Sequence, residues 1–382
     1  MTGYPLANVR VVDLTQYVAG PYCTQVLADL GADILKVERP GKGDVYRGQG
    51  PVFANGESAS FLTLNRGKRS LELDLGTEAG RARLGELLAE ADVLVENMRP
   101  GALAKHGLDY DSLSEIHPHL VYCSISAFGQ TGPRAEEGGY DLTVQALSGL
   151  MAATGHEGQR PVKVPVAAID FGSALYGVIG ILAALAERER TGRGQWVQTS
   201  LLETALAWLS MHVVTYLLGG GEPTPTGTRS PFFAPYEAYR TRDGYLVVVG
   251  TGGSDAWGSL CRVLGLDALA HDPRFATNAD RVRNAEDLRT ELESVLSLND
   301  SAHWVDVLGT AGIACAPVQP LSEALADNQT TALEMVGTLE HPTAGAVPIV
   351  RLPLTLSSAK TTAAEPPPLL GAGGERGFED RS

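Results

Sequence analysis

The sequence predicts an α/β protein, with a large domain on an open parallel sheet followed by a smaller α+β domain. Three observations carry this. The first thirty-odd residues read as strand, loop, helix, strand. The same alternation continues to about residue 128. After a Gly/Pro/Thr-rich segment at 219–231, strands and helices segregate instead of alternating.

Residues 9–14, VRVVDL, are β-branched and read as a strand. The loop TQYVAGP follows, with Pro21 suited to the first turn of a helix that runs through Leu30. After Gly31, ADILKVE is a second strand, so the unit is βαβ and its strands are parallel. RSLELDL is a strand, 78–91 a helix, DVLVEN a strand, the region near Ala102 a short helix, and LVYCSISAF a strand. An open, Rossmann-like sheet of this kind binds ligands at the carboxyl ends of its strands. The segment GGGEPTPTGTRSP at 219–231 has a linker composition. Beyond it, YEAYRTRDGYLVVVG reads as a hairpin about Asp243-Gly244, with helical patterns over 254–298 and 301–309. The expected organisation is a large domain over 1–218, a linker over 219–231, a small α+β domain over 232–325, and a return to the large domain with a tail over 326–382. The Pro/Gly-rich end, 363–382, is expected along the surface.

Composition narrows the functional classes. The 382 residues are 44% hydrophobic and 20% charged, which suits a globular protein with a sizeable core. A net charge of −15 argues against nucleic acid or an anionic membrane as partner. Its distribution matters more: 12 of the 30 basic and 14 of the 45 acidic residues precede residue 111, so the first third is nearly balanced and is where an anionic ligand belongs. The start, MTGYPLANVRVVDLT, has no secretory pattern. Cys23, Cys123, Cys261 and Cys315 lie far apart with no C-x-x-C, as expected of reduced thiols in a cytoplasm. The uncharged stretch 171–186 is shorter than a membrane span and holds three glycines, so it reads as a helix buried in protein.

Several candidate chemistries fall away. The first βαβ loop has one glycine, Gly20, where a dinucleotide fingerprint needs three, and Glu38 at the end of the second strand does not replace them. No Walker A sequence is present. His117-Pro118-His119 reads as an exposed turn with no third metal ligand nearby, and no metal site is expected. Cys23 sits near a helix start, which lowers thiol pKa, but a small buried cysteine is the commoner case. Lys42, Arg47 and Arg66 read as solvated surface.

One carboxylate stands out. In PVAAIDFGSALYG, Asp170 heads the uncharged run. As an N-cap it would accept from the amides of Gly172 or Ser173 and contribute about 1 kcal/mol. Yet Gly172, Ser173 and Ala174 are expected to leave open space beside it, at the mouth of a helix apolar on every side. The helix dipole and free amides there suit a nucleophile and the charge on an attacked carbonyl. The residues alone leave cap and nucleophile both open.

Ordered motifs over nearly the whole chain resemble the class III CoA-transferases, typified by the formyl-CoA:oxalate and carnitine enzymes. They are VVDLTQYVAGPYCTQVLADLGADILKVERPGKGD, LNRGKRSLELDL, ADVLVENMRPGAL, LVYCSISAFGQTGP, GGYDLTVQALSGLMAATG, AAIDFGSALYGVIGILAAL and ERTGRGQWVQTSLLETAL. The resemblance implies that Asp170 is the nucleophile, passing through an acyl anhydride and an aspartyl-CoA thioester. No permanent cofactor is implied, only acyl-CoA and a carboxylic acid as substrates. It implies CoA contacts at Val18, Ala19, Arg39, Leu73, Asp74, Leu75, Gly76, Asn97, Met98, Arg99 and Lys105. The formyl-CoA enzyme has arginine at the last, so a cation is kept and fork geometry is lost. Tyr140 and Asp141 match active-site positions. The family's α-methylacyl-CoA racemases carry histidine where this chain has Tyr140. A phenol, titrating at about 10, is a poor base near neutrality, so transfer is favoured over racemisation. A catalytically inactive CoA-binding protein is the third reading. Val18 stands where the formyl-CoA enzyme has glutamine, and nothing in SPFFAPYEAYRTRDG replaces that enzyme's shielding four-glycine loop, while Gly250 to Gly253 follow the hairpin. A larger or less polar acid than oxalate or formate is therefore expected. The resemblance further implies an interlocked homodimer with a large domain built from both chain ends.

Overall fold

The structure, a computed structural model, describes residues 3–251, 255–373 and 377–378. The chain divides into two compact units. One comprises 1–151, 163–222 and 332–382, the other 152–162 and 223–331.

The larger unit holds the strands β1 (Arg10–Asp13), β2 (Asp33–Glu38), β3 (Phe53–Ala54), β4 (Glu57–Ser58), β5 (Lys68–Glu72), β6 (Val93–Glu96), β7 (Val121–Ser126) and β8 (Trp196–Ser200). Six of them form one sheet in the order β5-β2-β1-β6-β7-β8, every pairing parallel. Its helices are α1 (Ala19–Asp29), α2 (Ala59–Leu64), α3 (Glu78–Glu90), α4 (Tyr110–Ile116), α5 (Asp141–Leu147), α6 (Leu150–Ala153, at the boundary), α7 (Ala168–Thr191), α8 (Leu201–Trp208) and α9 (Ser210–Thr215). The expected alternation is present, with β8 added. WVQTS follows directly on TGRGQ and is too short to announce itself by period.

Alternate side chains of each strand feed two cores, as a pleated strand requires. Val11, Val93, Val95, Cys123 and Ile125 pack with α1 and α7 on one face. Val12, Leu35, Leu94 and Tyr122 pack with α3 and α4 on the other. Both faces are covered, so the strands read as apolar runs without alternation. The strand order reverses between β1 and β6. At such a switch point the loops leaving the two carboxyl ends diverge and open a crevice.

Four expectations about this unit are corrected. Arg66 is buried and forms a bidentate pair with Asp29. Arg47 is largely buried, grips Glu38 through two nitrogens at 2.7 Å and lies over the Phe61 ring. Of the three cations assigned to the surface only Lys42 is exposed. Helix α7 is not buried all round, since Leu175, Tyr176 and Ile179 face outward, Ile179 at 61% exposure. It is long and apolar enough to cross a membrane, but its other face packs on α1, β7 and β8 in the core. The chain end is not simply laid on the surface either. Gly373 N–H donates to the Ser70 carbonyl of edge strand β5, Arg69 reaches the Gly377 carbonyl, and Pro367 and Pro368 are buried. This covers a sheet edge that would otherwise expose unpaired backbone. His117 too is nearly buried, its ring edge-on to His119 at 6.3 Å.

In the smaller unit, β9 (Tyr236–Arg240) and β10 (Tyr245–Val249) form the expected hairpin, joined through 241–244, and β11 (Ala314–Pro317) adds to β10 antiparallel. Helices α10 (Ala256–Val263), α11 (Asn278–Arg283), α12 (Ala285–Leu296) and α13 (Ser301–Thr310) pack against this sheet over Tyr239, Leu246, Leu260, Phe275 and Leu292. Segment 152–162 joins this unit by the Gly227 N–H to Gly155 carbonyl bond and a bridge from His156 to Thr226. Gly252, Gly253 and Ser254 lie outside the described residues. The antiparallel pair β12 (Val336–His341) and β13 (Gly345–Val350) returns the chain to the larger unit.

Replacing Arg66 by Met would leave Asp29 charged, buried and unpaired. Arg66→Met is expected to cost about 3–5 kcal/mol, whereas Lys42→Met changes stability by less than about 0.5 kcal/mol. Thermal melts of the two variants side by side check this.

Candidate active site

A cavity of about 250 Å³ opens at the switch point, lined by segments leaving β1, β6, β7 and β8 and by the start of α7. From β1 come Tyr17, Val18 and Ala19, from β6 come Asn97 to Pro100, and from β7 come Ser126 and Ala127, with Leu201 after β8. Glu137 to Tyr140 and Asp170 complete the wall. Two loops are tied by one side chain. Asn97 Oδ1 accepts from Gln16 N–H at 2.9 Å, and Asn97 Nδ2 donates to the Gln16 carbonyl at 2.7 Å. Tyr17 is left-handed, with φ 67°, a conformation costly for a bulky residue. Its ring meets the edges of Tyr46 and Tyr140 at 5.7 Å.

Asp170 is not an N-cap. Helix α7 begins at Ala168 and the capping position is Ala167, which offers no side-chain bond. Asp170 is the third residue of the helix, within its first turn, where the helix dipole still favours negative charge. Gly172, Ser173 and Ala174 do not supply the open space. All three are buried, and a Cβ on Gly172 would lie 2.4 Å from the Trp208 ring, so the glycine permits close α7–α8 packing. The space lies on the side of the β1 and β6 loops.

The electrostatics single out this carboxylate. Asp170 is partly buried and has neither hydrogen bond nor ion pair among the described residues. Burial, reinforced by the nearby Asp141 charge, raises it from 3.8 to about 7. Asp141 is buried at the start of α5, where both its oxygens accept from Gln145 Nε2, at 2.7 and 3.1 Å. Glu137 on the cavity rim is paired with Arg134. The histidine of a proton-exchange pair has no counterpart in the lining, where Tyr140 stands 62% exposed.

A second cavity, about 190 Å³, is lined by Arg39, Leu73, Asp74, Leu75, Gly76 and Met98, among others. Met98 lines both cavities. The positions carried over from the resemblance thus fall into two adjoining groups. Val18, Ala19, Asn97, Arg99 and Tyr140 lie with Asp170, and Arg39 and 73–76 lie in the second cavity. Lys105 lines neither and is exposed in the 3-10 turn Ala104–His106. Asp141 lies behind the first cavity wall. Among the described residues up to 110, the cations without a carboxylate or carbonyl partner are Arg39, Lys42, Arg99 and Lys105; the others are committed to ion pairs or, for Arg81, to the Leu75 and Gly76 carbonyls.

Sequence reasoning missed Tyr17, Tyr46, Glu96 and Gln145. A left-handed tyrosine has no local signal, and Gln145 matters only through the fold. Glu96, at the end of β6, is pushed by burial to about 7 and accepts the Met98 N–H at 2.8 Å. Glu38 is no ribose ligand, being held by Arg47 and Ser70. Cys23 is wholly buried beside Cys123, whose thiol contact with Cys23 and burial push it well up, the opposite of an activated thiolate pair. The described residues hold no cluster of three or more metal-type ligands.

Residues 6–373 match the family model described as CoA-transferase family III. Succinyl-CoA:glutarate CoA-transferase of Mus musculus is 39% identical over 367 residues, covering 96% of this chain and 84% of that protein. Acetyl-CoA:oxalate CoA-transferase of Acetobacter aceti is 39% identical over 333 residues, covering 87% and 85%. The crystal structure of a CAIB/BAIF family protein from Brucella suis superposes with a TM-score of 0.85 at 39% identity, over 97% of this chain and 98% of that one. Rv3272 from Mycobacterium tuberculosis, in its orthorhombic form, gives 0.87 at 31% identity over the same shares.

The raised pKa has a sign that can be checked. Between 3.8 and about 7 the unfolded chain has released the proton that the native Asp170 keeps. Native stability therefore falls as pH rises through that window, by about 1.4 kcal/mol per unit, and the deficit is complete above it. Asp170→Asn should melt several degrees above the parent at about pH 8 and converge with it near about pH 4, as read by calorimetry.

Proposed function

The chain belongs to CoA-transferase family III, and on that premise we propose that it moves CoA between carboxylic acids through Asp170. The observation that carries this reading is a partly buried carboxylate without a partner, facing a cavity that shares Met98 with a second one lined by Arg39. CoA would lie with its nucleotide end by Arg39 and 73–76 and its thioester end by Asp170. Exposed Lys105, apart from both cavities, could meet the phosphates only beyond them.

The chemistry follows from what Asp170 can do. An Asp170 oxygen attacks the thioester carbonyl carbon, the C–S bond breaks, and CoA departs as thiolate, leaving a mixed anhydride. The thiolate then attacks the Asp170 carbonyl and expels the donor carboxylate, giving an aspartyl-CoA thioester. An acceptor carboxylate attacks that thioester, and the two steps run in reverse. Thioester energy is conserved throughout because no step passes an acyl group to water. The amide groups at the start of α7 and the dipole of this long helix favour the oxyanion formed at Asp170. Proton exchange at Cα needs a second base, and the lining offers no histidine, while its other carboxylate, Glu137, is taken up by Arg134.

The acids are proposed to be short dicarboxylates such as succinate and glutarate. Relatives that match this chain over 84% and 86% of their own length are named for succinyl-CoA with glutarate or mesaconate. In the Asp170 cavity Arg99 is a cation with no acidic partner, able to meet a second carboxylate.

We also infer a homodimer. Leu175, Tyr176 and Ile179 on α7, Trp208 on α8, and Met211 and Val214 on α9 expose large apolar side chains on successive helices, more than a lone soluble surface ordinarily leaves bare. A second copy interlocked with the first would cover them.

Two outcomes are expected. Incubated with succinyl-CoA and no acceptor, the protein gains the mass of CoA on the peptide holding Asp170, removable by hydroxylamine. Asp170→Ala stays folded and loses transfer by at least about three orders of magnitude. Transfer without any adduct would sink the reading. Light scattering should give twice the chain mass, undiminished on dilution, whereas a monomer would dismiss the interlocked pair.

A further inference from the structure

Gln145 is buried in α5, and every polar atom of its side chain is engaged. Nε2 donates to both oxygens of Asp141, and Oε1 accepts the Val164 N–H at 3.0 Å. Val164 lies on the chain entering α7, six residues before Asp170. One amide thus joins the carboxylate that repels Asp170 to the strand of backbone that delivers Asp170. The remaining groups facing Asp170 are few. Tyr46 feels its charge from the turn after β2, and Tyr17, Tyr140, Glu137 and Arg99 share its cavity, Glu137 being paired with Arg134. From the elements packed on α7 come Tyr22, Cys23 and Asp29 of α1, Cys123 of β7 and Glu203 of α8. Asp29 is held by Arg66 and Glu203 by the Ser200 hydroxyl, and Tyr22 lies edge-on to Phe171. No cation is paired with Asp141 or Asp170 among the described residues, so their mutual arrangement rests on hydrogen-bond donors.

We propose that Gln145 is a positioning residue for the transfer reaction, whose amide fixes Asp141 against the approach to α7 and thereby sets the repulsion that Asp170 meets from its neighbouring carboxylate. The inference rests on the reading of Asp170 as nucleophile. Gln145 Nε2, donating to both oxygens of Asp141, holds that carboxylate in place near Asp170, and burial together with the Asp141 charge keeps a proton on Asp170 into the neutral range. Without Gln145 the Asp141 carboxylate loses this donor and its anchor to the backbone entering α7, and the repulsion it exerts on Asp170 is weakened.

The test follows the rate of CoA adduct formation at Asp170 from succinyl-CoA, by quenched-flow mass spectrometry across pH. In the parent the acid limb is expected at about 7. In Gln145→Leu it should move measurably to lower pH, and Asp141→Asn should move it the same way. In the double variant the limb should coincide with that of Asp141→Asn, because the amide bears on the charge facing Asp170 through Asp141, while its bond to Val164 bears on position and not on charge. Should the leucine variant not fold, Gln145→Asn, with its amide withdrawn by one methylene, should show the same displacement. A purely structural role would lower the melting temperature and leave the limb in place, which would overturn the proposal while the parent's adduct still stood. Absence of an adduct in the parent would instead remove the nucleophile reading on which it rests.

Discussion

Everything at the switch point hangs from four charged side chains with almost no access to water. Asp13 ends β1, Lys36 lies in β2, Lys68 in β5, and Asp44 follows β2. Lys68 Nζ donates to Asp13 at 3.1 Å, to Asn65 at 2.8 Å and to the Pro21 carbonyl at 2.9 Å. Lys36 pairs with Asp44 at 3.0 Å and donates to the Thr15 carbonyl at 2.7 Å. Burial opposes ionisation of Asp13, yet Lys36, Lys68 and two threonine hydroxyls hold it down at about 2. Burial, resisted by Asp13, brings Lys68 down to about 8. Two anions and two cations balance, and nearly every proton they offer is used. A buried charge cluster of this kind is tolerated on those terms, and it contributes definition of geometry more than net stability. What it defines is the loop from Thr15 to Pro21, gripped at both ends by lysine ammonium groups.

That grip explains how Tyr17 can remain left-handed. Strain in a bulky residue persists only where the surroundings over-determine it. Here Thr15 and Pro21 are fixed by the lysines, Gln16 is bonded twice by Asn97, and Gly20 lies against Thr15 so closely that any Cβ would collide with it. The loop therefore presents Val18 and Ala19 to the cavity as a rigid edge. Asp170 stands on the opposite wall on an equally rigid support, the first turn of a 24-residue helix locked to α8 through Gly172. Rigid walls on both sides are what a reaction between poor nucleophiles needs, because most of its acceleration comes from holding the reacting atoms in line.

Much of this was legible in the sequence, and the failures have a common cause. The βαβ opening and the hairpin at 236–249 follow from local pattern. The residues misjudged were those whose environment is set by distant chain. Arg66 looks like any basic residue until Asp29, 37 positions away, is brought beside it. Gly172 looks like room until Trp208 fills it. The outer face of α7 looks like core because exposed apolar side chains such as Leu175 and Ile179 are compositionally identical to buried ones. Asp170 itself stands three residues beyond the capping position expected of it, which changes its side-chain partners from amides to none.

The absence of a partner bears on the direction of the proposed chemistry. In a mixed anhydride the CoA thiolate can attack either carbonyl. Attack at the Asp170 carbonyl expels the donor acid, whose conjugate acid has an ordinary carboxyl pKa of about 4. Attack at the donor carbonyl expels Asp170, which in this site binds its proton until about 7. The weaker base leaves faster, so the anhydride partitions toward the aspartyl-CoA thioester rather than back to the starting thioester. An Asp170 held by an arginine would lose that bias and would be a poorer nucleophile as well. Burial and the Asp141 charge thus work in the same sense as the chemistry, and the stability forfeited by leaving a carboxylate unpaired is the counterpart of its reactivity.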